Sequence, residues 1–566
     1  MTSFPEEIRF SMQACLIGLS AAILGCDAPT SAIPEEPISA ADTMGPVINN
    51  VVLNHNPNPT VPLAAILSLS TDEPAEVTVR VDDGERVWDA ISSERPATEH
   101  SLIVLGLRAG RTHTITAVAV DASGNTSNSR ALALETPPLP DAVPRPEVLV
   151  SQPDRMEPGV TLFDVNRTGE DGETVQDYRM LVIVDDQGEV IWYYRDYHGA
   201  TDARRLSNGN ILYLGGNHRA VEIDMLGNII QAWHANQADP ETVSPGSIHV
   251  DTATFHHEVG ELPSGNLLTL SRSARVIDDF PSSDSDPNAA PAPATVVGDT
   301  IVEFTRDGTV VHEWSLLEIL DPYRIGYGSL RSTFPPIQQH YSQLGEEAIA
   351  RDWTHSNAVS HDPSDDSFIV SVRYQDAVIK LDRQTGALKW ILGTHDHWKE
   401  PWQQYLLEPQ GDLEWQYHEH GPEVTGEGSI VLFDNGNGRT SAFGEQLPPD
   451  QRYSRAVEFS VDEDAMTVTQ EWDYGGLGEE FFYSSYISDA DWLPVTGNVL
   501  VNDGGRRDDE NGMAAEFDSG GRPWAQIFEV TRTEPAEKVF HIILRDEAPA
   551  GYQVYRAQRL PSLYPE

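Results

Sequence analysis

A repeated turn-and-strand motif is the feature of this sequence that most restricts its possible folds. Each copy has a turn rich in Gly and Asn or Asp, an apolar strand, and a returning strand pair that ends near a tryptophan. A four-stranded unit cannot cover its own apolar faces, so such units stack around a ring, and the repeat predicts a β-propeller. The turn-and-strand segments are LSNGNILYLGG, LPSGNLLTLSR, DPSDDSFIVSVR, TGEGSIVLFDNG and LPVTGNVLVNDGG. The matching tryptophans are Trp233, Trp314, Trp390 and Trp472.

Two further segments complete the ring. The stretch MLVIVDDQGEVIWYYRD, near residue 180, supplies one more unit and brings the expected number of blades to six. The short strand-like segment YQVYRAQRLPSLYP at the C-terminus is expected to close the ring by pairing with the first blade. The propeller therefore occupies residues 151–566.

Residues 46–137 have a different pattern. Short stretches alternate apolar and polar residues between Gly, Asn, Asp and Pro turns, at the spacing of an antiparallel sandwich. The stretch LRAGRTHTITAVAVDASGNTS resembles a fibronectin type III-like module, and a proline-rich linker follows over residues 138–150. The predicted fold class is all-β: a six-bladed β-propeller preceded by a small fibronectin/Ig-like β-sandwich domain.

The N-terminus resembles an export signal. Cys15 and Cys26 are the two cysteines, and both lie in the apolar stretch ACLIGLSAAILGC, whose end resembles a bacterial lipoprotein box. We expect residues 1–26 to be a signal peptide, Cys26 to be the lipidated first residue, and residues 27–45 to be a flexible tether. The acidic leader MTSFPEEIRF departs from this pattern, so a start at Met12 and a plain cleaved signal stay open. Every version exports the protein to the periplasm or cell surface.

The charge of the chain excludes some partners. With 89 acidic residues against 37 Lys and Arg, the formal net charge is -52. Such a surface repels nucleic acid and anionic lipid headgroups, so we expect no nucleic-acid partner and membrane contact only through a lipid anchor. The composition leaves a homodimer open.

Histidines recur at one position of the repeat. Propellers place function at the mouth of the central channel, on loops and innermost strands, and a closed ring brings equivalent positions together. Just before the Gly/Asn strand, three consecutive blades carry polar residues at this position. They are His256 and His257, then His355 and Asn357, then His418 and His420.

The sequence around these residues resembles that of a known family. The segments DWTHSNAV, DDSFIVSVRYQDAVIKLDRQTGALKWILG, EHGPEV, GSIVLFDNGNGR and YRAQRLPSLYP resemble the bacterial arylsulfate sulfotransferases that do not use phosphoadenylyl donors. The resemblance covers most of residues 150–566. It implies a six-bladed propeller in which a histidine takes the sulfuryl group from an aryl sulfate and passes it to a phenol in a ping-pong reaction.

The resemblance also implies roles for individual residues. His420 falls on the nucleophile, with Glu419 where the family has glutamine. The other matched positions are His257, His355, Asn357 and Arg373.

Sulfuryl transfer, like phosphoryl transfer, spreads charge over the non-bridging oxygens, so it needs positioned cations and hydrogen-bond donors. Arg373, His257 and Asn357 can supply them, a neutral His420 is a competent nucleophile, and His355 is suited to carry the proton of the phenol. For an anionic donor we expect a locally positive channel mouth, formed by Arg373 with Arg439 or Arg506.

Several weaker candidates and alternatives accompany this prediction. Three histidines could hold zinc, but Arg373 among them would repel a divalent ion, so we expect no metal; no glycine-lysine nucleotide loop occurs, so we expect no cofactor. A non-catalytic surface binding propeller and an aryl sulfate hydrolase remain alternatives. The candidate substrate-binding residues are His256, Asn435, Ser485, Trp353 and Trp415. For the two tryptophans, structural packing and stacking on an aromatic substrate stay equally open.

Overall fold

The strands form seven sheets in the part of the chain that the computed structural model describes, namely residues 42–168, 174–216, 218–330, 341, 349–546 and 550–565. The first sheet belongs to the N-terminal domain, and the other six are four- or five-stranded blades. The predicted signal peptide, Cys26 and the tether up to residue 41 lie outside the described residues.

The N-terminal sheet is built around one long strand, Ala65–Asp82, which pairs with four other strands. Its alternate residues Val77, Val79 and Val81 are fully buried, as the alternating sequence pattern predicts for a sheet with one face on a core. The strands of this domain are Ile48–His55, Ala65–Asp82, Val87–Ser92, Ala97–Val104, Thr112–Asp121, Thr126–Asn128 and Leu132–Glu135.

Each blade is an antiparallel sheet made largely from one copy of the repeat. Blade 1 contains Val160–Thr168, Thr174–Val184, Val190–Arg195, Gly551–Gln553 and Ala557–Leu560. Blade 2 contains Thr201–Arg205, Ile211–Gly215, Arg219–Ile223, Ile229–His234 and Ile248–His249. Blade 3 contains His256–Glu261, Leu267–Phe280, Ala292–Phe304, Val310–Ser315 and Ile349–Asp352.

The second half of the ring follows the same plan. Blade 4 contains Ser356–Asp362, Ser367–Val372, Ala377–Asp382 and Leu388–Gly393. Blade 5 contains Glu408–Gln410, His420–Val424, Ile430–Asp434, Arg455–Asp462 and Thr467–Gly475. Blade 6 contains Asp489–Trp492, Val499–Asp508, Arg522–Val530, Lys538–Leu544 and Glu147–Ser151. The helical elements that lie wholly within the described residues are an α-helix, Leu316–Ile319, and 3-10 turns at Arg373–Gln375, Trp402–Tyr405, Pro449–Gln451 and Phe517–Ser519.

The two ends of the propeller segment close the ring. Ala557–Leu560 pairs with the start of Val160–Thr168 in blade 1, as the sequence predicts. Glu147–Ser151, most of which the sequence analysis assigned to the linker, pairs with the last strand of blade 6. This short strand was missed because the proline-rich residues before it are typical of a linker. Both ends of the propeller segment therefore contribute to closing the ring between blades 6 and 1.

The innermost strands set where a site can form. In an antiparallel blade, the hairpin between the second and third strands and the connection to the next blade lie at the end where the innermost strand begins. Long loops such as residues 281–291 and 435–454 gather at that end. The innermost strands are Thr201–Arg205, His256–Glu261, Ser356–Asp362, His420–Val424, Asp489–Trp492 and Ala557–Leu560.

Trp353, predicted as a substrate-binding residue, is a core residue. Its side chain is fully buried in the cluster between blades 3 and 4, and its Nε1 donates to the carbonyl oxygen of Arg324 at 2.7 Å. Gly298 lies against the ring, where an added Cβ would come within 3.3 Å of the Trp353 Cε3 atom. The loop that carries His355 is therefore anchored by packing, because a large aromatic side chain buries so much apolar surface.

We predict that Trp353→Ala lowers the free energy of unfolding by about 3–5 kcal/mol, because it opens a cavity in a closely packed core and orphans the Arg324 carbonyl. Trp415→Ala is the matched control, since Trp415 is half-buried and its removal leaves a space that solvent can enter. Guanidinium denaturation followed by circular dichroism measures both variants. Equal shifts for the two would contradict the core assignment.

Candidate active site

The predicted histidines lie at the start of three neighbouring innermost strands, and each of these strands begins with a β-bulge. A bulge turns side chains out of the regular alternation, here at the mouth of the channel. His257 and His355 also have left-handed backbone conformations, with φ of 60° and 46°, which are uncommon for residues other than glycine. The register shifts fall between His256 and Val259, between Ser356 and Ala358, and between His420 and Glu423.

His257 is oriented by His256, which stands behind it. His256 Nε2 lies 3.1 Å from the Ser271 carbonyl oxygen and 3.3 Å from Asp299 Oδ1, so this nitrogen carries the hydrogen. His256 Nδ1 is then an acceptor, and His257 Nδ1 donates to it at 2.7 Å. Burial, with His256 and His355 nearby, lowers the pKa of His257 well below 6.5. The neutral ring therefore presents an unprotonated Nε2.

His355 forms a pair with a carboxylate. Its Nδ1 donates to Asp352 Oδ2 at 2.5 Å, and Asp352 is a buried residue at the end of the last strand of blade 3. The His355 ring lies 5.1 Å from the ring of His257 and 4.6 Å from that of Tyr374, measured between centroids. Because the carboxylate fixes the hydrogen on Nδ1, His355 presents Nε2 as a base, as in catalytic His-Asp pairs.

Asn435 fixes the orientation of His420. Asn435 Nδ2 donates to the carbonyl oxygens of Ser484 and Ile487, at 2.8 Å and 3.0 Å, so its Oδ1 must face the histidine. His420 Nδ1 donates to this oxygen at 2.6 Å. Burial, followed by the charge of Arg373, lowers the pKa of His420 well below 6.5. The result is a neutral imidazole whose Nε2 lone pair is available.

Arg373 ends the predicted turn-and-strand segment DPSDDSFIVSVR, but in the structure it lies in the turn Arg373–Gln375 that follows the strand Ser367–Val372. Its Nη2 donates to the carbonyl oxygen of Ser485 at 3.0 Å, and its Nε has no hydrogen-bond partner in the described part of the chain. The residue is 6% exposed. A buried guanidinium that lacks a carboxylate partner among the described residues is costly unless an anion binds beside it.

Asn357 connects the histidines to the rest of the ring. Its Nδ2 donates to the carbonyl oxygen of Glu419 at 2.7 Å, next to His420. Its own carbonyl oxygen accepts hydrogen bonds from Tyr555 Oη at 3.2 Å and Arg556 Nη2 at 3.0 Å. Its Oδ1 is buried and has no partner among the described residues. The predicted site residues thus lie in one connected network.

Tyr555 and Arg556 are site residues that sequence reasoning missed. They directly precede Ala557–Leu560, the innermost strand of blade 1. The histidines of the other blades also lie next to the start of an innermost strand. The ring of Tyr555 lies 6.1 Å from that of His257, and Arg556 forms a 2.7 Å ion pair with Asp489. Applying the offset rule to the closing segment YRAQRL would have found both.

Arg439 and Arg506 do not form the expected positive mouth. Arg439 Nη2 lies 2.6 Å from Glu414 Oε1, and its side chain is 3% exposed. Arg506 Nη1 lies 3.0 Å from Asp503 Oδ2. Both guanidiniums are therefore neutralised by local carboxylates, and Arg373 is the member of the predicted set that has no such partner in the described residues.

The remaining candidates have supporting contacts. Ser485 positions Arg373 through its carbonyl oxygen, while its hydroxyl accepts a hydrogen bond from the Phe517 backbone N–H at 3.0 Å. Trp415 is half-buried, with its ring 5.7 Å from that of His395, and packs on the cluster between blades 4 and 5. Trp415 therefore stabilises the loop that leads to His420.

Comparison with known proteins agrees with this architecture. Residues 147–556 match the family described as arylsulfotransferase (ASST), and residues 52–137 match the arylsulfotransferase Ig-like domain. The chain belongs to the arylsulfotransferase family. The two matches together cover most of the N-terminal sheet and all of the six blades except the strand Ala557–Leu560.

Two curated members of the family are similar in sequence. The chain is 27% identical over 342 residues to the arylsulfate sulfotransferase AssT of Escherichia coli O6:H1, covering 54% of each protein. It is 29% identical over 225 residues to the arylsulfate sulfotransferase AssT of Lelliottia amnigena, covering 34% of this chain and 37% of that protein. The matched part thus spans about half or less of these relatives.

Proposed function

We propose that this arylsulfotransferase moves a sulfuryl group from an aryl sulfate ester to a phenolic acceptor by a ping-pong mechanism through a sulfohistidine at His420. The observation that carries the proposal is the pairing of Arg373, a buried guanidinium without a carboxylate partner in the described chain, with a neutral imidazole oriented to attack. This combination suits an anionic substrate with an electrophilic centre. Family membership and the names of the curated relatives support the aryl sulfate as that substrate.

In the first half-reaction, His420 Nε2 attacks the sulfur, and the N–S bond forms as the S–O bond to the aryl group breaks. The leaving aryl oxide takes a proton from His355 when His355 is protonated. His420 keeps its Nδ1 hydrogen on Asn435, so the intermediate is a sulfoimidazolium, a good sulfuryl donor. One difficult displacement is thereby divided into two easier steps.

In the second half-reaction, the phenolic oxygen of the acceptor attacks the sulfur, and the S–N bond breaks. His355 Nε2 accepts the phenolic proton, and Asp352 stabilises the imidazolium that forms. His420 returns to its neutral state. The reaction as written is balanced without a cofactor.

The sulfuryl oxygens need donors in both steps. Arg373 and the amide of Asn357 supply them, since both lie within the network around His420. His257 donates only when its Nε2 carries a proton, and a bound anion favours that protonated form. We therefore assign to His257 the uptake of a proton as the donor ester binds.

The proposal is tested with the purified full chain and 4-nitrophenyl sulfate, with and without excess phenol, beside His420→Ala. We expect phenol-dependent nitrophenolate release and, with donor alone, a mass increase of one sulfuryl group. His420→Ala should lose both, with release falling about a thousandfold or more, because it removes the attacking atom. Release without phenol dependence would indicate a hydrolase, and neither release nor adduct across a panel of aryl sulfates would indicate a binding propeller.

We predict that Asp352→Asn lowers kcat/KM about a hundredfold for phenyl sulfate, because His355 loses the partner that fixes its tautomer. The loss should be much smaller for 4-nitrophenyl sulfate, whose leaving group needs little protonation. Asp362→Asn is the matched control, since Asp362 is a buried aspartate on the neighbouring blade and pairs with Lys380 at 2.7 Å. A loss that is equal for the two substrates would show a purely structural role for Asp352.

We also propose that the protein is exported and anchored through a lipid on Cys26, as the sequence ILGC suggests. No helix in the described residues is long and apolar enough to cross a membrane. In a bacterial host given radiolabelled palmitate, the full chain should take up label and sediment with membranes. Cys26→Ser should abolish labelling, while Cys15→Ser should not. Equal labelling of the two variants would overturn the proposed anchor.

A further inference from the structure

Glu419, which directly precedes His420, joins several parts of the site. It is fully buried. Its carbonyl oxygen accepts hydrogen bonds from Asn357 Nδ2 at 2.7 Å and from the Ser371 hydroxyl at 3.1 Å. Its side-chain Oε1 lies 3.0 Å from the same hydroxyl. The backbone and the side chain of Glu419 therefore share the one hydrogen of Ser371.

The other oxygen of this carboxyl group has no partner. Glu419 Oε2 and Asp376 Oδ2 are both buried and lack a hydrogen-bond partner in the part of the chain described. Asp376 Oδ1, in contrast, accepts a hydrogen bond from the backbone N–H of His418 at 3.1 Å. A proton on Glu419 Oε2 would supply the donor that this buried space lacks, and Asp376 Oδ2 is an acceptor whose charge acts on Glu419.

The charges around Glu419 favour that proton. Burial and then the negative charge of Asp376 raise the pKa of Glu419 to about 8, with a smaller contribution of the same sign from Asp434. Asp434 Oδ2 forms an ion pair with Arg455 Nε at 2.9 Å, so much of the negative charge of Asp434 is compensated. His418 and His420 are the titratable groups that flank Glu419 in the chain. A pKa of about 8 keeps most of this side chain uncharged at neutral pH.

We propose that Glu419 is a positioning residue for the transfer reaction and that it acts as an uncharged carboxylic acid. The inference rests on the proposed function. Ionised Glu419 would repel Asp376 across the segment that joins His418 to His420, and this repulsion would displace the two groups that Glu419 positions, His420 and the amide of Asn357.

The test compares the pH dependence of kcat/KM for the full chain and for Glu419→Gln, each relative to its own value at pH 7. With 4-nitrophenyl sulfate and excess phenol, the parent should fall about tenfold per pH unit above about pH 8, as one ionisation removes the active form. Glu419→Gln cannot ionise, so it should fall less than about twofold over the same unit. Glu427→Gln, an exposed change on the same blade, should keep the decline of the parent.

Stability provides a second readout. The folded state holds the Glu419 proton up to about pH 8, whereas the unfolded chain releases it near the usual pKa of 4.5. Since the folded state binds more protons in this window, this group destabilises the protein progressively as pH rises from about 4.5 to 8. The denaturation midpoint of Glu419→Gln minus that of the unmodified protein should increase from about pH 4.5 to about pH 8 and stay constant above it.

The possible outcomes separate the two proposals. Overlapping pH profiles of an active parent and Glu419→Gln would overturn the positioning role, even if the stability difference showed that Glu419 titrates. A parent without transfer at any pH would overturn the proposed function, and with it this role. The inference would be supported if kcat/KM of the unmodified protein falls above about pH 8, if Glu419→Gln but not Glu427→Gln removes this fall, and if the stability difference depends on pH as described.

Discussion

The pairing of Ala557–Leu560 with Val160–Thr168 is the constraint on which the site depends. This strand closes the ring between residues almost 400 positions apart, and the cost of such a loop grows only with the logarithm of its length. Closure brings Arg556 to blades 4 and 6, where it donates to the carbonyl oxygen of Asn357 and pairs with Asp489. The mouth of the channel is therefore fixed by contacts that exist only in the closed ring.

Within that ring, each histidine is oriented by a residue that has other partners of its own. Asn435 faces His420 with its oxygen because two carbonyl groups occupy its nitrogen. Asp352 fixes the hydrogen of His355, and His256 fixes that of His257. All three rings consequently leave Nε2 unprotonated in their neutral state. The same tautomer arises from three different local contacts, which explains why the residues next to the histidines matter as much as the histidines.

The repeat predicted the fold and part of the site, because both follow from one periodic offset. That offset placed His257, His355 and His420 in equivalent positions without knowledge of any contact. It could not show that Trp353 packs in the core or that Arg439 has a carboxylate beside it, because those facts depend on partners elsewhere in the fold. Arg556 was missed since the last strand of the sequence is the first strand of a blade.

The strongly acidic surface does not exclude an anionic substrate, because the field at the site is local. Exposed charges are screened over about 8 Å at physiological ionic strength, whereas buried charges are screened much less. After burial, Arg373 is the largest cause of the lowered pKa of His420, and Arg556 and His355 act in the same direction. On the neighbouring innermost strands, burial raises the pKa of Glu258 and Glu423 above its usual range, which reduces their negative charge. Arg373, which has no carboxylate partner among the described residues, thus favours an anion beside His420 although the formal net charge of the chain is -52.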